Sequence, residues 1–101
     1  MGLFNFFSNR RDAIIEKYLT AMIESGTRTL ELRNIYYEAT LKYCQDHGGS
    51  GDINSCSCHY LYNKKNYFIV FVDHTNLDKT ITVSVTTPED SERMLKDALG
   101  L

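Results

Sequence analysis

The chain has 101 residues, 43% of them hydrophobic and 24% charged, with a single proline and a formal net charge of −2. That length supports one hydrophobic core, and that composition excludes a disordered or low-complexity chain. The weakly acidic balance, with no strongly basic stretch, excludes a nucleic-acid binder that works by neutralising phosphates. An odd count of three cysteines points to free thiols in a reducing, cytoplasmic setting.

Residues 1–8 form a short apolar segment. It does not have the pattern of a secretory signal, because Arg10 and Arg11 follow the apolar part and no small-residue cleavage site comes next. Phe6 stands where a myristoylation signal wants Ser or Thr. Leu3, Phe4, Phe6 and Phe7 ahead of two arginines have the composition of a membrane-surface anchor, but the stretch is too short for stable anchoring alone. Phe4 and Phe7 are expected to dock on the protein's own core or on a second subunit.

A first helix is expected after Ser8 or Asn9, either of which can cap it. Ile15, Tyr18, Leu19, Met22 and Ile23 make one apolar stripe at helical spacing, and Gly26 ends it. A second helix is expected from about Thr29 to His47. Leu30, Tyr37, Leu41 and Cys44 form one apolar face, and Leu32, Ile35, Tyr36, Ala39 and Tyr43 form another on the opposite side. A helix with two apolar faces needs cover on both.

Gly48, Gly49, Ser50 and Gly51 open a loop, after which the period changes from helical to alternating. "HYLYN" and "NYFIVFVD" predict two strands joined by a hairpin through Lys64 and Lys65, "HTNLDK" a second turn, and "TITVSVT" a third strand. Tyr67, Ile69 and Phe71 alternate with Phe68, Val70 and Val72, so the middle strand is apolar on both faces and should be central. Thr87-Pro88-Glu89-Asp90 starts a last helix, with Met94, Leu95 and Ala98 as its stripe and Gly100 at its end. The expected fold is a single α+β domain spanning 1–101. It is a three-stranded antiparallel β-meander packed with three helices, in the order α-α-β-β-β-α.

All three cysteines and two of the histidines fall in "CQDHGGSGDINSCSCH", residues 44–59. As C-x2-H-x8-C-x-C, Cys44, His47, Cys56 and Cys58 offer a two-plus-two ligand set for zinc, with His59 as a spare. Against that, Cys44 shares a helical face with Leu30, Tyr37 and Leu41, where cysteine serves as a small core residue. A C-x-C pair also lacks the turn that lets C-x2-C wrap a metal. The preferred reading is one buried thiol and two loop thiols, with no cofactor. A thiol enzyme using Cys56 or Cys58 is a third reading, weakened because the adjacent Cys58 and His59 point to opposite faces of a strand.

The seven tyrosines are the more informative feature. Tyr36, Tyr43, Tyr60 and Tyr62 are the candidate interaction residues, together with Phe4 and Phe7, because tyrosine is enriched at protein contacts. The expected function is that of a small non-enzymatic cytoplasmic binding protein, an adaptor, inhibitor or regulatory subunit. Its partner would be another protein, a second copy of itself, or both.

Overall fold

From Ser55 onward side chains alternate between a more buried and a more open row, and the chain runs as antiparallel strands. The computed structural model describes residues 3–33, 35–74 and 80–100, with side chains from residue 10 onward. In chain order the elements are α1 (Leu3–Ser25), β1 (Thr29–Leu32), α2 (Tyr37–Asp46), β2 (Ser50–Gly51), β3 (Ser55–Tyr62), β4 (Lys65–His74), β5 (Thr80–Thr86) and α3 (Pro88–Leu99). The strands form one antiparallel sheet in the order β1-β5-β4-β3-β2. The fold is α+β, but the sheet has five strands where three were expected, and a strand separates the first two helices.

The extra strands arise at both edges of the expected meander. Thr29–Leu32 pairs with β5, placing Leu32 opposite Ile81 and Leu30 opposite Val83. The long two-faced helix expected over 29–47 is therefore two elements, an edge strand and a ten-residue helix. Their apolar positions coincide with helical spacing only when they are read as one segment. What remains of the helix has one buried side, formed by Thr40, Tyr43 and Cys44. At the other edge β2 is only two residues long and pairs with Ser57 and Cys56. β3 begins at Ser55, so Cys56 and Cys58 lie in a strand and not in a loop.

β4 is the central strand, as its two apolar faces predict. The β3–β4 turn is formed by Asn63 and Lys64, both at positive φ (52° and 65°), one residue earlier than expected. That is the geometry of a two-residue turn matched to strand twist, and asparagine tolerates it well. The expected second turn, residues 75–79, lies outside the described residues, as do the side chains of Phe4 and Phe7. The first helix starts at Leu3, upstream of its expected caps.

One rung runs across the whole sheet, Leu30, Val83, Phe71, Cys56 and Gly51, and its side chains shrink toward β2. The next is Val85, Ile69 and Cys58. α2 lies over the small end of these rungs, and α1 packs against α2 and β5. Ile15, Leu19 and Met22 of α1 are fully buried against this inner face together with Tyr43 and Cys44 of α2. Each such side chain contributes about 1.5–3 kcal/mol of burial. α3 behaves differently. Its start and stop are as read, with Thr87 Oγ1 accepting from Asp90 N at 3.0 Å, Pro88 in the first turn, and Gly100 at φ 75°. None of its residues is buried, so α3 touches β4 without adding a side chain to the core, which α1 and α2 close.

The glycines after α2 set how closely helix and sheet approach. Gly48 takes φ 80° just past the helix end, and Gly49 N donates to Cys44 O at 2.7 Å. A Cβ on Gly49 would collide with the Ser57 carbonyl and come within 2.8 Å of Cys58 Cβ, and one on Gly51 would collide with Cys56 Cβ. Gly49→Ala is expected to lower stability by about 2 kcal/mol, because backbone and core must part to admit the methyl. Chemical denaturation checks this against the exposed neighbour Ser50→Ala. An unchanged midpoint for Gly49→Ala would contradict the close approach.

Candidate functional site

Cys44 projects from α2 onto the sheet and meets Cys56 and Cys58, which share the inner face of β3. All three thiols are free and buried, at 0%, 3% and 2% exposure. Cys56 Sγ also lies 3.8 Å from Thr40 Oγ1, whose own hydroxyl donates to Tyr37 O at 2.7 Å. Hydrogen-bonding interaction with Cys56 and Cys58, reinforced by burial, raises the Cys44 thiol well above its ordinary value. The same interaction draws Cys56 down to about 7 and lowers Cys58, against the opposing push of burial. A thiolate becomes a nucleophile only with access, and the cluster is covered by helix, sheet and glycine loop.

His47, the fourth of the expected zinc ligands, is turned elsewhere. It occupies the C-cap of α2 and lies against the Tyr43 ring with centroids 4.3 Å apart. Its Nε2 is 3.0 Å from Asp12 Oδ2 on α1. Arg11 completes the network, donating to Asp12 Oδ1 at 2.7 Å and to Asp46 Oδ2 at 2.8 Å. Three residues beyond Cys44 the helix has turned toward α1, so Cys44 and His47 serve different contacts. Among the described residues no group of three or more His, Cys, Asp or Glu side chains is arranged to hold a metal ion. His59 faces outward on β3, 5.3 Å from the Phe68 ring.

The candidate tyrosines also separate. Tyr43 is 1% exposed, and its Oη donates to Glu16 Oε2 at 2.9 Å. Burial, then that hydrogen bond, holds its phenol above the ordinary range. Tyr60 Oη lies 3.1 Å from Thr20 Oγ1, and Tyr62 Oη donates to Glu24 Oε1 at 3.0 Å. Glu16, Thr20 and Glu24 are one helical turn apart, so these three tyrosines form a row of contacts that ties α1 to α2 and β3. Only Tyr36 stands in solvent, at 84% exposure.

Tyr36 borders a groove of about 930 Å³ at one end of the sheet, between the β1–α2 connection, α2 and the β2–β3 connection. Ile35, Leu41 and Ile81 give it an apolar lining, and Arg33, Glu38, Asp52 and Asp73 supply its charges. Ile53 also lines it and is 89% exposed. The loop that carries Ile53 is tied down at both ends. Asp52 Oδ1 accepts from Asn54 N (3.1 Å) and Ser55 N (3.2 Å), which pulls its carboxyl below the ordinary range. Asp52 N donates to Ser55 O, Asp73 N to Asn54 O and Tyr37 Oη to Asp52 O, each at 2.8 Å.

Sequence reasoning passed over Ile53, Arg33 and Asp52. A signal existed for Ile53, which is a lone β-branched residue inside the polar run "GGSGDINS" with an aspartate placed to cap its own turn. Nothing local announced that Arg33 and Asp73 meet there. Comparisons of the chain with protein-family models, with curated proteins and with solved structures each found no match.

In the native protein, maleimide should label all three thiols at least roughly a hundredfold more slowly than in the unfolded chain, through opening of the fold. Timed labelling with and without denaturant checks this. Labelling of any one cysteine at the unfolded rate would contradict the burial of the cluster.

Proposed function

We propose that this protein is a small non-enzymatic cytoplasmic binding protein that acts through protein–protein contact, as an adaptor, inhibitor or regulatory subunit. The observation that carries the reading is the pair Tyr36 and Ile53, exposed at 84% and 89% on the same groove. An isolated apolar residue in water is ordinary. Two large ones facing a groove with apolar lining, one of them held out by a hydrogen-bonded loop, form a preorganised contact. Tyrosine anchors of this kind contribute disproportionately when a partner excludes water from them.

Groove chemistry narrows the partner. Glu38, Asp52 and Asp73 outnumber Arg33, so an apolar side chain next to a lysine or arginine is the favoured occupant. Readings that depend on the thiols, a zinc-stabilised module or a cysteine-dependent enzyme, have less support, because His47 is engaged with Asp12 and the thiols are enclosed.

Affinity capture from the native host with wild type and with a Tyr36→Ala/Ile53→Ser double variant tests the reading. The wild type should retain a protein partner, and the double variant should retain roughly tenfold less or none. Stability of the variant should stay within about 0.5 kcal/mol of wild type, since both positions are exposed. Undiminished capture by the double variant, or no partner for folded wild type, would overturn the proposal.

A further inference from the structure

Across β3, β4 and β5 the outer face of the sheet carries little charge, with Glu31 standing beside it on edge strand β1, opposite Thr82. Among the described residues, the outward-facing positions of β3, β4 and β5 include no lysine, arginine, aspartate or glutamate. Along its middle run Phe68, Val70 and Val72, flanked in register by small Ser57, Thr82 and Ser84. A shallow concavity of about 400 Å³ opens beside Phe68 and Val70, bordered by Ser55 and Ser57. Depletion of charge around an apolar centre is the compositional mark of an interface core.

α3 has the complementary defect. Met94, Leu95 and Leu99 form an apolar stripe with Ala98, and the three large residues are 63%, 60% and 63% exposed. Every residue from Ser91 to Gly100 is exposed. The helix is held to the body through its first turn, where Arg28 pairs with Asp90 (3.0 Å) and Lys65 with Glu89 (3.2 Å). Thr87 alone separates it from β5, and with Pro88 and the Thr87 cap the chain leaves the sheet in a fixed direction. The α3 stripe is thus left uncovered by its own sheet.

We propose that the protein forms a two-fold dimer in which α3 of each copy lies across the outer sheet face of the other. Size favours reciprocal exchange over a single contact. A helix of α3's length covers a strip roughly 18 Å by 10 Å. One helix-on-sheet contact buries two such strips, roughly 360 Å² as flat area, which is the scale of a crystal contact. Two-fold exchange buries four, roughly 720 Å² as the same flat area, which doubles the single contact and brings it toward the size at which specific interfaces begin. The outward positions described on β3, β4 and β5 set no lysine, arginine, aspartate or glutamate against either flank of the incoming helix, so the stripe sets the fit over them. This surface meets the Tyr36–Ile53 groove at Gly51 and Asp52, while its centre at Phe68 and Val70 lies outside the groove lining, and the dimer does not depend on the groove.

The test is the solution mass of the full chain at high micromolar concentration, for wild type, Leu95→Glu and Val70→Lys, joined to photo-crosslinking from benzoylphenylalanine at position 95. Wild type should show twice the 11.6 kDa chain mass. Each variant should raise the dimer dissociation constant roughly tenfold or more. Leu95→Glu sits on a helix with no buried residue, so its far-ultraviolet circular dichroism should match wild type even if Val70→Lys disturbs the sheet. Crosslinks from position 95 should join two chains and map to β4. A strict monomer, a crosslink from α3 to its own sheet, or a dimer joined α3 to α3 would each overturn the proposal.

Discussion

Tyr67, Ile69 and Phe71 on the inner face of β4 are the surface on which the rest of the chain is assembled. Both neighbouring strands set their register against them, with Cys58 and Val85 on either side of Ile69, and Cys56 and Val83 on either side of Phe71. α1 and α2 then close over that face, and Ile69 and Phe71 lose all exposure to water. A one-residue slip of β4 would exchange this row for Phe68, Val70 and Val72 and turn Asp73 outward. Because both rows are apolar, hydrophobicity alone weakly specifies which one faces the helices. The small residues of β3 and the glycines after α2 make the choice, since the helix end fits closely only over Cys56 and Cys58.

That fit accounts for the stretch rich in cysteine, histidine and glycine. Its residue types are those of a metal site or a reactive thiol, and here they meet a packing requirement. Cysteine is a small apolar residue that fills the tapering end of the sheet. Gly49 and Gly51 permit backbone to lie against backbone, and His47 closes the end of the helix onto Asp12.

Local patterns were legible wherever they were strong and self-contained. The alternation of β4 and β5, the Thr87-Pro88 start of α3 and the α1 stripe all appear near where the sequence places them. The edges were not legible, for a physical reason. β1 has four residues and β2 two, too short to express a period, and each exists because an existing strand offers it an open edge. Leu30 and Leu32 read as helix because Tyr37 and Leu41 follow at compatible spacing. Tyr43, Tyr60 and Tyr62 read as a surface because their number was visible and their partners Glu16, Thr20 and Glu24 were not. Of the candidate interaction tyrosines, only Tyr36 reaches the groove, whose other walls come from distant parts of the chain.

The two faces of β4 can be compared directly by solvent paramagnetic relaxation of valine methyl groups through a dilution series. Val83 and Val85, on the inner face, should be protected at every concentration. Val70 and Val72, on the outer face, should be protected at high concentration and become exposed as the sample is diluted. Protection of Val70 and Val72 that does not change with concentration, or its absence throughout, would contradict an outer face covered by a second copy of the chain.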